Sequence, residues 1–370
     1  MPNPPQLQDF IPENFTVSNP DKKLHHVFNE EDCYALWAAY SAGRPLLIRG
    51  KPGTGKSQMA RAIAEQLGWA FVSEVIRGST ELSDLHWHFD AIGRLGEAQA
   101  MSSKSAFHLT QDRPDRFYKP VRSNAGPFVP PKFGCRNKPD NDQQDLLNPL
   151  RFLSPGAFWW AYDWETAEQQ YEACSTRLRP KPEALTAANA DNAHSGGVVL
   201  LLDEIDKAEP DLPNGLLETL GHYQFTVPYI SHQDKTATIK NPVTADPARL
   251  LIVITTNEER ELPTAFVRRC FVHTLKMEES PELVNGIEKR HRWLIERGKL
   301  HFAEQIAAEV YQQAAELLWQ DRAASSHTRY PPGLAEYIDL LNSLQGLNQD
   351  EQKQRLDKIA RYALKKELDE

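Results

Sequence analysis

What this chain of 370 residues has little of already narrows its class. There are four cysteines, Cys33, Cys135, Cys174 and Cys270, far apart and with no C-x-x-C pair. That spacing argues against a zinc site or a disulfide framework, and reduced thiols in a cytoplasm are expected. No run approaches the ~18 apolar residues that span a bilayer. The first residues are rich in Pro, Asn and Asp, unlike the basic-plus-apolar start of a secretory signal or an amphipathic transit peptide. Positive charge is short as well: 42 Lys and Arg against 51 Asp and Glu leave a net charge of -9. A surface that wraps duplex nucleic acid needs clustered cations, so this balance disfavours one, and membrane partners are not expected. No internal repeat is visible.

What is present reads as a soluble globular protein, 40% apolar and 25% charged, long enough for two or three domains. Residues 1–24 read as an extended, proline-punctuated lead-in. A helix follows, with Asn29 as N-cap and Glu30, Glu31 and Asp32 in a first turn that favours acids. The apolar run 45–49 predicts a buried strand, 56–67 a helix closed by Gly68, and 70–76 the next strand. Residues 101–149 and 180–197 are loose, polar and proline-broken, and read as insertions or long loops. Buried strands are predicted at 198–204, 249–256 and 271–275, a short helix at 212–220, and a hairpin from 224–230 and 236–240. After Met277 the pattern is helical. Phe302, Ile306, Val310, Ala314 and Leu317 make one apolar face, Leu334, Tyr337, Ile338, Leu341 and Leu344 a second, and a charged third helix runs over 351–368. The fold class is therefore α/β, a parallel sheet sandwiched by helices (25–276) and then a small helical domain (277–370).

Three segments carry chemistry. Gly50-Lys51-Pro52-Gly53-Thr54-Gly55-Lys56-Ser57 fits G-x-x-x-x-G-K-[ST] between a strand and a helix. Its backbone N–H groups and the helix N-terminus can cradle phosphates, Lys56 can reach the β- and γ-phosphates, and the Ser57 hydroxyl can ligate Mg²⁺. Asp203 and Glu204 end the strand at 198–204, where the first can hold Mg²⁺ and the second can deprotonate a water. Asn257 ends the strand at 249–256, placed to orient that water or sense the γ-phosphate, or simply to cap a turn. Arg268 and Arg269 follow a short helix, and an arginine can supply charge to a phosphoryl group in its transition state.

Together these segments resemble the AAA+ ATPases, and within them the MoxR-like branch. The resemblance rests on residues 45–57 (PLLIRGKPGTGKS), 199–208 (VLLLDEIDKA), 212–220 (LPNGLLETL) and 254–270 (ITTNEERELPTAFVRRC), with 77–95 and 154–163 similar to one bacterial MoxR-like subgroup. It covers roughly residues 25–345. It implies a phosphate loop with Asp203 and Glu204 as the Walker B acids, Asn257 as sensor 1, and Arg269, with Arg268 as the alternative, as an arginine finger. A finger acts on ATP held by a neighbouring subunit, so the resemblance also implies a ring, usually hexameric. Its cofactors would be ATP and Mg²⁺, the region after Met277 would be the lid, and the partner would be a protein, often of the von Willebrand factor A type. Two departures stand out. Residues 101–149 and 180–197 add chain between the phosphate loop and the acid pair. Where the family has a sensor-2 arginine, this chain has Gly333, with Arg329 as the substitute.

Other features read as packing. Phe158, Trp159, Trp160, Tyr162 and Trp164 are expected under the insertion, with a partner platform as the alternative. His86 and His88, two apart, fall on different helix faces and make no metal pair. The functional readings are an ATPase that remodels a protein partner, a nucleotide-gated scaffold with little hydrolysis, and an AAA+ motor on DNA, which the acidic balance disfavours.

Overall fold

The computed structural model describes residues 4–111, 147–182, 196–230, 239–324 and 331–364, the side chains of 102–111 excepted. Five apolar segments become strands, Leu46–Arg49 (β1), Ala70–Val75 (β2), Val198–Asp203 (β3), Leu250–Thr256 (β4) and Phe271–Thr274 (β5). They form one parallel sheet in the order β5-β1-β4-β3-β2. The central strand β4 is buried at all seven positions, as a parallel strand covered on both faces must be. Its register pairs Thr255 with Ile48 and Ile254 with Leu202, so β1, β3 and β4 end at the same edge of the sheet. The site is assembled on that edge.

Helices Glu30–Ser41 (α1) and Lys56–Leu67 (α2) cover one face. There Leu36, Met59 and Ile63 pack with Leu46, Ile48, Val199, Leu201, Leu251 and Val253. Because strand side chains alternate, Leu47, Leu200, Leu202, Ile252 and Ile254 point to the other face, and they too are buried. So are Leu212 and Leu216 of Asp211–His222 (α3) and Phe266 of Thr264–Val267 (α4). The N-cap predicted for α1 forms, with the Asn29 N–H donating to Asp32 at 2.7 Å. The lead-in is more folded than its composition suggests. Phe10 is fully buried against Trp37 and Tyr40, and Thr16–Asn19 pairs antiparallel with Leu24–Val27. Phe10, Val17 and Leu24 anchor the proline-rich segment in the core, with Ile11 and Phe15 packed against them.

Beyond Met277 lie Lys289–Phe302 (α5), Ala308–Ala324 (α6), Leu334–Leu344 (α7) and Gln349–Ala363 (α8), packed around their own apolar cluster. The first predicted face is divided here. Phe302 ends α5, Ile306 lies in the connection, and α6 buries Val310, Tyr311, Ala314, Ala315, Leu318 and Trp319, with Leu317 half-buried against the same cluster. Two helices joined by a short connection had kept an apolar period running across the break. The chain falls into two compact units, and the sheet and these helices both belong to the first, Met1–Leu82, Pro182–Phe225 and Thr244–Glu370.

The second unit is Ser83–Lys181 with Thr226–Val243. A short antiparallel pair, Trp87–Phe89 with Leu153–Pro155, lies among helices Ala91–Gln111, Ala157–Tyr162 and Trp164–Ala173. The aromatic run is packing: Phe158, Trp159, Trp160, Tyr162 and Trp164 are all buried, and the Trp159 indole donates to Thr166 Oγ1 at 3.1 Å. Residues 101–111, expected as loop, continue a helix, because the first proline that could stop it comes later, at Pro114. The remainder of 101–149 up to residue 146 lies outside the described residues, as do 183–195. Near the predicted hairpin, Gln224–Phe225 and Val243–Thr244 are strands, and 231–238, which hold most of the second predicted segment, lie outside the described residues. His86 ends a helix and His88 lies in a strand, and among the described residues no cluster of His, Cys, Asp or Glu could hold a metal ion. Nor is any described helix long and apolar enough to cross a membrane.

Candidate functional site

The loop between β1 and α2 relies on glycine at three places, Gly50, Gly53 and Gly55, the last with φ of +94°. A Cβ at Gly50 would stand 2.6 Å from the Leu275 carbonyl oxygen. Gly53 has φ of +75°, and a Cβ there would meet Ala335 Cβ at 3.0 Å. The loop is thus drawn against the exit of β5 and the first turn of α7. Lys56 opens α2 and is 7% exposed. Its Nζ donates to the carbonyls of Gly50 at 2.7 Å and Lys51 at 3.0 Å, and to Asn257 Oδ1 at 2.7 Å. Burial lowers the Lys56 pKa, while Asp203, Asp206, Glu204 and Glu258 pull it back up. Thr54 closes the loop with a bond to the Lys51 carbonyl at 2.9 Å.

The acids meet this loop at the sheet edge. Ser57 Oγ lies 2.9 Å from both carboxylate oxygens of Asp203. A hydroxyl and a carboxylate side by side are the hard oxygen donors Mg²⁺ prefers. Thr255 Oγ1 donates to Asp203 Oδ1 and accepts the Glu204 N–H at 2.9 Å. Glu204 stands in the left-handed region, φ 61° and ψ 48°, uncommon for a non-glycine residue. Asn257 Nδ2 donates to Glu204 Oε1 at 3.1 Å, and Lys207 Nζ donates to Glu204 Oε2 at 2.6 Å. One orientation of the Asn257 amide thus serves both neighbours, its oxygen toward Lys56 and its nitrogen toward Glu204. Asp206, 2% exposed, accepts the N–H groups of Asn257 at 3.2 Å and Glu259 at 2.9 Å, tying the loop after β4 to the turn after β3.

Of these groups, Gly53 to Ser57, Asp203, Glu204 and Asn257 line a cleft of about 420 Å³. The rest of the lining has different chemistry. His25 and His26 come from Leu24–Val27, Trp293, Arg297 and His301 from α5, and Ile338 from α7. Burial pushes His26 and His301 down to about 4 and lowers His25 as well, so all three rings are neutral near pH 7. His26 Nε2 is buried without a hydrogen-bond partner among the described residues. The Arg297 guanidinium lies 3.7 Å from the Trp293 ring centroid and donates to the Trp293 carbonyl, and burial lowers its pKa to about 10. A cleft that sets hydrogen-bond donors and charged groups beside aromatic rings suits a ligand carrying phosphate on a heterocycle.

The structure brings the phosphate loop, Asp203, Glu204 and Asn257 into one place. Arg268 and Arg269 lie outside the cleft, exposed at the end of α4. The Arg44 guanidinium donates to both of their carbonyls, and Arg269 donates to the Leu217 carbonyl at 2.9 Å. Gly333 caps α7, its N–H donating to Glu336 at 2.8 Å, and Arg329 lies outside the described residues. Sequence reasoning assigned no role to Thr255, Asp206, Lys207 or the histidines of the cleft. The threonine pair in an otherwise apolar strand was a usable signal for Thr255. Nothing in the sequence connects His26, Trp293 and Arg297, which come together only through packing.

No family profile matches the chain, and no curated protein matches it. Among solved structures it is similar to that of a "putative ATPase" from Cytophaga hutchinsonii, at 13% identity and a TM-score of 0.34, over 97% of this chain and 84% of that one.

Proposed function

We propose that this chain binds ATP with Mg²⁺ and hydrolyses it, as a MoxR-like AAA+ ATPase working in a ring of its own copies on a protein partner. The observation that carries the reading is the continuous link Lys56–Asn257–Glu204, set beside Ser57 and Asp203 in one cleft. Phosphate oxygens would take the place of the carbonyls that Lys56 now contacts, and the heterocycle would lie among His26, Trp293 and Ile338. Ser57 and Asp203 would hold Mg²⁺, whose charge would offset that of the phosphates. Glu204 would accept the proton of the attacking water, and Asn257 would fix its direction. Arg297, the arginine lining the cleft among the described residues, would stand in for the sensor-2 cation absent at Gly333. Exposed Arg269, or Arg268, is available to the ATP site of a neighbouring copy, which supports the ring. The choice of partner, a von Willebrand factor A-type protein, comes from the family resemblance.

The test is steady-state phosphate release from the full chain. Glu204→Gln is expected to lower turnover by at least about 100-fold while leaving ATP affinity within a few-fold of the parent. Turnover equal to the parent's would remove Glu204 from the chemistry and the reading with it.

A further inference from the structure

A second cavity, of about 280 Å³, shares no lining residue with the cleft. Its charged groups come from four segments: Lys51 from the phosphate loop, Glu279 from the chain after β5, Arg290 from α5 and Arg322 from α6. Trp319 of α6 stands among them, with the Arg290 guanidinium 5.0 Å and the Arg322 guanidinium 5.1 Å from its ring centroid. We propose that this cavity is a second binding site, for a phosphate dianion, either free or as the head of a small monoester. The site stands independently of the reading of the cleft as an ATP site.

The lining gathers cations in a chain whose net charge is -9. Three of them face one carboxylate, and Glu288, which accepts from Arg290 Nε without lining the cavity, still leaves cations in excess. Arg322 is held ready. Its side chain is 9% exposed, and it donates to Glu279 and to the Pro332 carbonyl, each at 2.8 Å. A guanidinium fixed in this way has lost its freedom before a ligand arrives, which lowers the cost of binding one. The Trp319 ring is 8% exposed, and its N–H has no hydrogen-bond partner among the described residues, so a donor is left unmet beside the cations. Guanidinium groups pair with phosphate through parallel N–H bonds. The tetrahedral oxygens of phosphate accept from several directions, which suits cations carried by three separate segments. A carboxylate offers two oxygens in one plane and suits a single fork. Liquid water takes about 30 Å³ per molecule, so the cavity has room beyond one phosphate for the organic part of a monoester.

The experiment is equilibrium dialysis of the full chain, without nucleotide, against inorganic phosphate and against O-phosphoserine, at a pH above the second phosphate pKa of about 6. Lys56→Ala removes the phosphate grip of the cleft and is the background in which the cavity is read. Saturable binding of phosphate or O-phosphoserine is expected to survive there. Adding Arg290→Gln is expected to weaken it by about 10-fold, the worth of one charge-assisted hydrogen bond. Adding Glu279→Gln instead removes the carboxylate that competes for Arg322, and should tighten binding by about two- to five-fold, the range of an exposed ion pair. Should Arg290→Gln fail to fold, the gain in Glu279→Gln carries the test, since damage to the fold would not produce it. Whichever probe binds more tightly identifies the source of the phosphate. Loss of all binding in Lys56→Ala, or affinities unmoved by both further changes, overturns the proposal. If Lys56→Ala binds as the parent does while Arg290→Gln alone removes binding, the cavity stands and the reading of the cleft fails.

Discussion

His26 shows how one side chain couples the cleft to stability. Its ring is buried beside Phe28, with centroids 4.5 Å apart, and burial lowers its pKa from 6.5 to about 4. The unfolded chain therefore takes up the proton first. The neutral ring gives its full contribution above about pH 6.5 and loses it as pH falls toward 4, by at most ~3 kcal/mol. Thermal denaturation followed across that window should show a shallower acid limb for His26→Phe than for the parent. Parallel limbs would mean that the ring is solvated. The residue scale is also where legibility divides most sharply. Gly50 through Ser57 are contiguous, and their chemistry depends on local backbone shape, so composition and spacing were enough to find them. His26, Trp293, Arg297 and Ile338 are ordinary residues of three separate elements, and they share a cleft only because α5 and α7 pack against the strand Leu24–Val27 and the phosphate loop.

Among the elements, the helices after Met277 have an approach that only glycine permits. A Cβ at Gly298 in α5 would lie 2.8 Å from Leu341 Cδ1 and 3.0 Å from the rings of both Tyr311 and Tyr337. Gly298→Val should thus destabilise this cluster by about 1–3 kcal/mol through overpacking, seen as a lower midpoint in chemical denaturation. A midpoint equal to the parent's would mean that α5 can shift away from α6 and α7 without loss. A glycine inside a helical pattern carried this information only in part, since it marks a close approach without naming the neighbour. Periodicity likewise found α6 and α7 but missed the break between α5 and α6. It missed the helical start of 101–111 for the opposite reason, because polar composition was weighed above the absence of any proline before Pro114.

For the whole molecule, the ring reading gives the sharpest expectation. If Arg269 serves a neighbour's ATP, Arg269→Ala should bind ATP like the parent and lose hydrolysis by about 10³-fold or more, the scale of an arginine finger. Mixed with Lys56→Ala, whose own site is empty but whose arginines are intact, it should recover turnover. An inactive mixture in which size measurements show that the two variants do assemble together would place Arg269 in a structural role, consistent with its bond to Leu217.

The sequence by itself determined the five strands of the parallel sheet, the glycine-rich loop and the acidic strand end, because each depends on interactions within a few residues of chain: apolar runs, glycine torsions, a helix start. It also carried the order of these parts along the chain, from which the fold class follows. Tertiary structure alone decided what they touch. The parallel register of β1, β3 and β4 set Asp203, Glu204 and Asn257 beside Lys56. The packing of α5 and α7 completed the cleft lining, and the turn after β3 set Lys207 Nζ 2.6 Å from Glu204. Such contacts depend on pairing and burial between distant segments, which no local pattern of residues encodes on its own.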